Sequence, residues 1–191
     1  MSNADKKCFA IRAYEEKDIE RVQFICVQTA PEMLRQHETM RQLLLVAFCN
    51  YYIEREPQNC FVAVNDEDEA VGYILCAQNA NAWYDVFSKE YIQPIVEENA
   101  NRFLEMSCQS CLAAANEYPA HLHTDILPDY QRMGLGARMM ETLIKHLREK
   151  GIPGLMLSVA SDNAGAQAFY EKMGFCTITQ APNEIVMGIR L

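Results

Sequence analysis

Apolar residues in this chain alternate with polar ones over short runs and recur every three or four positions over longer ones, and each change of period marks an element boundary. Cys8 to Ala13 alternates as a half-buried edge strand. From Asp18 to about Thr29, Ile19, Val22, Phe24, Ile25 and Cys26 predict a helix capped by Asp18. Pro31 opens a second helix, expected from Glu32 to about Arg55, with Met33, Leu34, Met40, Leu43, Leu44, Ala47, Phe48, Tyr51 and Tyr52 as apolar positions. Phe61 to Val64 and Ala70 to Ala77 read as the strands of an antiparallel hairpin around the acidic turn Asn65 to Glu69. Between Asn79 and Tyr118 the pattern is helical again. A short piece carries Trp83, Tyr84 and Phe87, and Pro94 starts a longer helix with Ile95, Val96, Phe103, Leu104, Cys108, Cys111 and Leu112.

Ala120 to Arg148 reads as strand, loop and helix without a gap. Leu135, Met139, Met140, Leu143, Ile144 and Leu147 share one helical face, and Gly151 is the stop signal. Leu155 to Val159 is a strand, Ser161 to Asn163 supply capping side chains, and Gly174 ends the helix that follows. Phe175 to Gln180 and Ile185 to Ile189 close the chain as two strands around Ala181 to Glu184. The order β-α-α-β-β-α-β-α-β-α-β-β predicts an α/β fold: a mixed, mainly antiparallel sheet of about seven strands flanked by helices, in one domain over residues 1–191. Met1 to Ala4 has the look of a cloning remnant and is given no structural meaning.

At 191 residues, half of them apolar, the chain can bury a core and is not a candidate for disorder. No apolar run is long enough to span a bilayer and no signal-peptide pattern is present, so no membrane association and a cytoplasmic location are expected. The formal charge of −9 argues against nucleic-acid binding, which needs phosphate neutralisation by Lys and Arg. Surplus acid could draw in an amine or serve solubility. The eight cysteines are scattered, and only Cys108 and Cys111 form a C-x-x-C. On a helix these two share a face, and without a second pair or a His at ligand spacing, buried free thiols and no metal site are expected, with zinc binding or redox work as the lesser alternative.

The loop Gln131, Arg132, Met133, Gly134, Leu135, Gly136, Ala137 puts two glycines where the backbone enters a helix. Amides there have no partner inside the helix, the helix dipole favours an anion, and glycine lets a bulky ligand come close. A phosphate is one reading and a tight turn the other. The loop is neither a Walker A sequence nor a dinucleotide GxGxxG.

Together with Asn163 to Phe175 this loop resembles the GNAT superfamily of acyl-CoA-dependent N-acetyltransferases. The loop matches the family's Q/R-x-x-G-x-G/A signature, and Asn163, Ala166, Tyr170, Gly174 and Phe175 match its N-x-x-A-x-x-x-Y-x-x-x-G-F helix. The likeness spans Ala120 to Ile178. A narrower one, through PAHLHTDILPDYQRMGLG and GIPGLMLSV, is to bacterial members similar to the acetyltransferase-like region of O-GlcNAc hydrolases, and it does not settle the substrate.

The resemblance implies acetyl-CoA as cosubstrate and an amine as acceptor. It implies that Thr124, Asp125 and Ile126 on the fourth strand bond the pantetheine arm through their backbone, with an N–H near Ile126 polarising the thioester. Gln131 to Ala137 would hold the pyrophosphate, aided by Arg132. Asn163 would reach the pantetheine or only cap its helix, and Tyr170 would protonate the departing thiolate or be a core aromatic. Residues 79–118 would be a longer insertion between the third and fourth strands than in compact members. They would shape the acceptor pocket, form a dimer contact or fill the core. A homodimer stays open.

The general base is the weak point of the resemblance, because many members carry a glutamate where this chain has Ser158. His121, His123 and Asp125 alternate along the fourth strand and so share one face. A neutral His there could accept a proton, oriented by Asp125, or the three could only satisfy one another. His37, His146 and Lys145 read as solvated. An N-acetyltransferase with Tyr170 as acid and His123 or Asp125 as base is one function, and a non-catalytic CoA-binding module is another. A third is an interaction protein built on the 79–118 helices.

Overall fold

The computed structural model describes residues 9–191, the side chains of positions 110 and 111 aside, so Met1 to Cys8 and the thiol of Cys111 lie outside it. In chain order the elements are β1 (Ala10–Ala13), α1 (Ile19–Thr29), α2 (Glu32–Arg35), α3 (Glu38–Leu45), α4 (Tyr51–Arg55), β2 (Phe61–Val64), β3 (Ala70–Ala77), α5 (Ala80–Phe87), α6 (Glu98–Ala114), β4 (Ala120–Ile126), α7 (Leu135–Glu149), β5 (Gly154–Ala160), α8 (Ala164–Lys172), β6 (Cys176–Ala181) and β7 (Glu184–Arg190). The strands form one seven-stranded sheet in the order β1-β2-β3-β4-β5-β7-β6. Every pairing is antiparallel except that of β4 with β5, so the sheet is mixed and mainly antiparallel, as expected.

Alternation along the strands sends side chains to two cores. On one face Val62, Val64, Tyr73, Leu75 and Ala77 meet α1, α3, α4, α5 and α6 through Val22, Ile25, Leu43, Tyr52, Phe87 and Leu104. On the other, Ile74, Cys76, Leu122, Leu155, Leu157 and Met187 meet the apolar stripe of α7 and Tyr170 of α8. Each buried Leu or Ile contributes roughly 1.5 to 3 kcal/mol, so the two faces together outweigh local propensity. No helix of the described residues is long and apolar enough to cross a membrane.

Several elements differ from the pattern. The helix expected from Glu32 to Arg55 is broken at His37, whose backbone is extended, and a π-helical stretch at Val46–Asn50 separates α3 from α4. The apolar period survives both breaks because the same face keeps packing on the sheet. Pro94 does not start α6; Glu97 does, its carboxylate accepting from the amides of Asn99 and Ala100. Asp18 stands at the start of α1 without capping it, since its carboxylate binds Arg12 at 2.7 and 2.8 Å and the Glu15 amide at 2.9 Å. His146 is half-buried rather than solvated, with Nε2 3.0 Å from Asn59 Oδ1. Cys176 is exposed, whereas Cys26, Cys49, Cys60, Cys76 and Cys108 are buried free thiols. Residues 79–118 pack Trp83, Phe87, Ile92, Ala100, Leu104 and Cys108 into the core of the first face.

Candidate active site

The site begins where β4 and β5 separate. They pair only at Ala120 with Leu155 and His121 with Met156, and beyond those residues the two strands run without a shared register. Leu127 donates its amide to Val71 of β3 at 3.0 Å, so by strand alternation the amides of Ile126 and Thr124 point the other way, into the gap. The Ile126 carbonyl, which faces the gap too, accepts from Gln131 Nε2 at 2.9 Å. A backbone donor left without a strand partner is costly unless a ligand or water takes it. The gap therefore suits an extended chain bearing amides of its own.

The loop above the gap is shaped for close approach. Arg132 has φ 60° and Gly134 φ 80°, both left-handed, and α7 starts at Leu135 with Gly134 at its N-cap. A side chain at Gly134 would stand in open space, so the absence of one exposes amides instead of relieving a clash. A Cβ on Gly136 would meet the Phe169 ring at 3.3 Å and Ile126 at 3.6 Å, which ties the first turn of α7 to α8 and to the end of β4. Loop amides, helix N-terminus and the exposed Arg132 together fit a pyrophosphate. Asn163 caps α8, its Oδ1 accepting from the Ala166 amide at 3.0 Å.

Two groups of side chains flank the gap from opposite faces. Tyr170 comes from α8 on the α7 face and is 9% exposed. Burial, and then the charge of Asp125, push its phenol well above the ordinary value, so it stays protonated and keeps a hydrogen to donate. On the other face the register sets Tyr73 opposite Asp125 and Leu75 opposite His123. Tyr73 Oη donates to Asp125 Oδ2 at 2.7 Å and lies 3.0 Å from His123 Nδ1. Phe48 stacks on the His123 ring with centroids 5.0 Å apart, while the His123 side chain keeps 29% of its surface open. Burial lowers the His123 pKa against an opposing pull from Asp125, so the ring is neutral at neutral pH.

Of the three polar residues on this face of β4, His123 and Asp125 come together and His121 does not join them. His121 is 2% exposed in edge contact with Trp83, and neither ring nitrogen has a partner among the described residues. Burial, then the neighbouring His123, pull its pKa down to about 3, so it is a neutral core side chain.

Sequence reasoning missed Tyr73, Phe48 and Glu184 as site residues. A tyrosine inside the otherwise aliphatic, fully buried run of β3 was the available signal, because a buried hydroxyl needs a partner. Ser158, on the same sheet face as His123 across the gap, donates its hydroxyl to Glu184 at the start of β7.

Residues 17–175 match the family model described as Acetyltransferase (GNAT) family. The chain belongs to that family. Among solved structures, the GNAT chain is similar to SsHAT, with a TM-score of 0.82 and 30% identity over 95% of this chain and 98% of that one. It shares its fold with the PaiA N-acetyltransferase of Thermoplasma acidophilum, solved in complex with coenzyme A, at a TM-score of 0.60 and 14% identity over 96% of this chain and 99% of that one. Among curated proteins it is 50% identical over 48 residues to the ribosomal protein bS18-alanine N-acetyltransferase of Escherichia coli strain K12, which is 25% of this chain and 32% of that protein. The chain thus spans about a third of the length of the curated relatives it matches first.

Proposed function

We propose that this GNAT domain is an acetyl-CoA-dependent N-acetyltransferase that moves the acetyl group to a primary amine by direct transfer in a ternary complex. The observation that supports the reading is the gap between β4 and β5, with the protonated Tyr170 packed on one face of the sheet and His123 beside Asp125 on the other. The amides of Thr124 and Ile126 would bind the pantetheine arm and polarise the thioester carbonyl. The loop Gln131 to Ala137 would hold the pyrophosphate, with Asn163 at the arm's edge. Acetyl-CoA supplies an activated acyl carbon. The chain supplies alignment, which for well-oriented reactants is worth on the order of 7 to 11 kcal/mol, and a place for each proton.

Thiol release from acetyl-CoA across a panel of polyamines, aminoglycosides, amino sugars and peptide amines tests this. Turnover with one class is expected, and Tyr170→Phe should lower kcat by about 100-fold with the KM for acetyl-CoA nearly unchanged. Ser158, where many family members carry a glutamate, favours a second reading, a module that binds CoA without turnover. Thermal stabilisation by CoA with no thiol release from any amine would establish it and sink the first.

A further inference from the structure

We propose that Tyr73 is a positioning residue that fixes the tautomer of His123, holding the ring hydrogen on Nδ1 and leaving Nε2 as the lone pair that takes the acceptor's proton. The catalytic part rests on the acetyltransferase reading; the hydrogen order does not.

A phenol has one hydrogen and a carboxylate has none. Tyr73 Oη stands 2.7 Å from Asp125 Oδ2 and 3.0 Å from His123 Nδ1, and the shorter, charge-assisted contact takes the phenol hydrogen. The phenol oxygen is then only an acceptor toward the ring, so the hydrogen between it and Nδ1 must come from the imidazole. A neutral imidazole with Nδ1–H has a bare Nε2. In the opposite order, with the phenol hydrogen on Nδ1, the oxygen of the buried Tyr73 and the carboxylate oxygen would face each other at 2.7 Å with no hydrogen between them. Nε2 lies 3.7 Å from Asp125 Oδ2, too far for a hydrogen bond, so among the described residues no side chain binds Nε2 and competes to set the tautomer. Phe48 stacked on the ring holds its plane.

When the acceptor nitrogen bonds to the thioester carbon, the hydrogen it sheds moves to Nε2. The imidazolium keeps its Nδ1–H on Tyr73, and the Tyr73 to Asp125 bond carries the carboxylate's influence to it through one hydroxyl. The C–S electron pair leaves on sulphur, which takes the phenol hydrogen of Tyr170. His123 later loses its proton to solvent and Tyr170 regains one.

Nitrogen NMR of the His123 ring in the full chain, without ligand at pH 8, reads the tautomer directly. A pyrrole-type Nδ1 and a pyridine-type Nε2 are expected, and the reverse assignment overturns the proposal. Tyr73→Phe should give a mixture of tautomers and lower kcat at least tenfold while the KM for acetyl-CoA holds. A folded Tyr73→Phe protein with a single unchanged tautomer and full kcat refutes the positioning role. Should that variant not fold, Asp125→Asn carries the test. The amide can accept the Tyr73 hydrogen through Oδ1 or donate through Nδ2, so the charge-assisted bond weakens, the single tautomer should give way to a mixture and kcat should fall about 100-fold or more. A reversed tautomer in the wild-type protein, or Asp125→Asn with full kcat, refutes the order or its role. A wild-type protein that shows the expected tautomer yet acetylates no amine refutes the acetyltransferase reading and leaves the hydrogen order standing.

Discussion

His121, His123 and Asp125 share one face of one strand, yet the burial of β4 falls along its length and gives them different chemistry. Alternation in the sequence set the face; depth depended on which helices cover it. Trp83 closes over His121, and the mouth of the gap opens at Asp125. A histidine held neutral in the core has a stability signature. Its pKa is about 3 in the folded state against about 6.5 unfolded, so between those values the unfolded chain binds more protons. Its contribution is fully present above about pH 6.5 and is lost as pH falls toward 3. His121→Leu should therefore lessen the loss of stability between pH 7 and pH 5 by about 2 kcal/mol. At pH 8 it should cost little or stabilise, because it removes two ring nitrogens without partners. Urea unfolding at the three pH values measures this, and an unchanged slope would mean that the ring is paired or charged. His123 and His146, both shifted down by burial, add to the slope in the same direction.

At the scale of elements, the strand and loop that hold the site are the part most legible in the sequence. The hairpin strands, β4, the capping Asn163 and the glycine stops at Gly151 and Gly174 stand where turn chemistry and period put them. The break at His37 and the start of α6 were not legible, because an apolar stripe that packs on one sheet reads the same whether or not the backbone is interrupted. The pairing of Tyr73 with Asp125 was also hidden. It depends on the register of two strands about fifty positions apart, and no local pattern encodes that. Gly134 tests the loop. With φ 80° in a place where a side chain would meet nothing, a valine there carries only backbone strain, roughly 1 to 2 kcal/mol. Gly134→Val should lower stability by about that much and weaken CoA binding at least tenfold by screening the helix-entry amides. Calorimetric titration with CoA decides it, and undiminished affinity would place the pyrophosphate elsewhere.

The whole molecule is two half-sheets joined through a narrow seam. β1 to β4 and β5 to β7 share only the two parallel residue pairs at the closed end of the gap. Tyr118 braces that end. A Cβ on Gly154 would come within 3.1 Å of its ring and one on Gly188 within 2.8 Å, so glycines on β5 and β7 let the tyrosine lie across both strands. At the open end the amides of Thr124 and Ile126 face the gap rather than a neighbouring strand. A ligand that fills the gap would take the place of the missing strand pairing and add stability by mass action, about 2.7 kcal/mol at a hundredfold excess over its Kd. Hydrogen exchange in the free chain should find the Thr124 and Ile126 amides fast beside those of β3. With saturating CoA they should slow together with the amides of Gly134 to Gly136, while β1 and β2, remote from the seam, change little. Because the seam is the weakest join in the sheet, protection there should rise by more than the shift in global stability alone supplies. Uniform slowing across all strands would instead mean that CoA stabilises the fold without entering the gap.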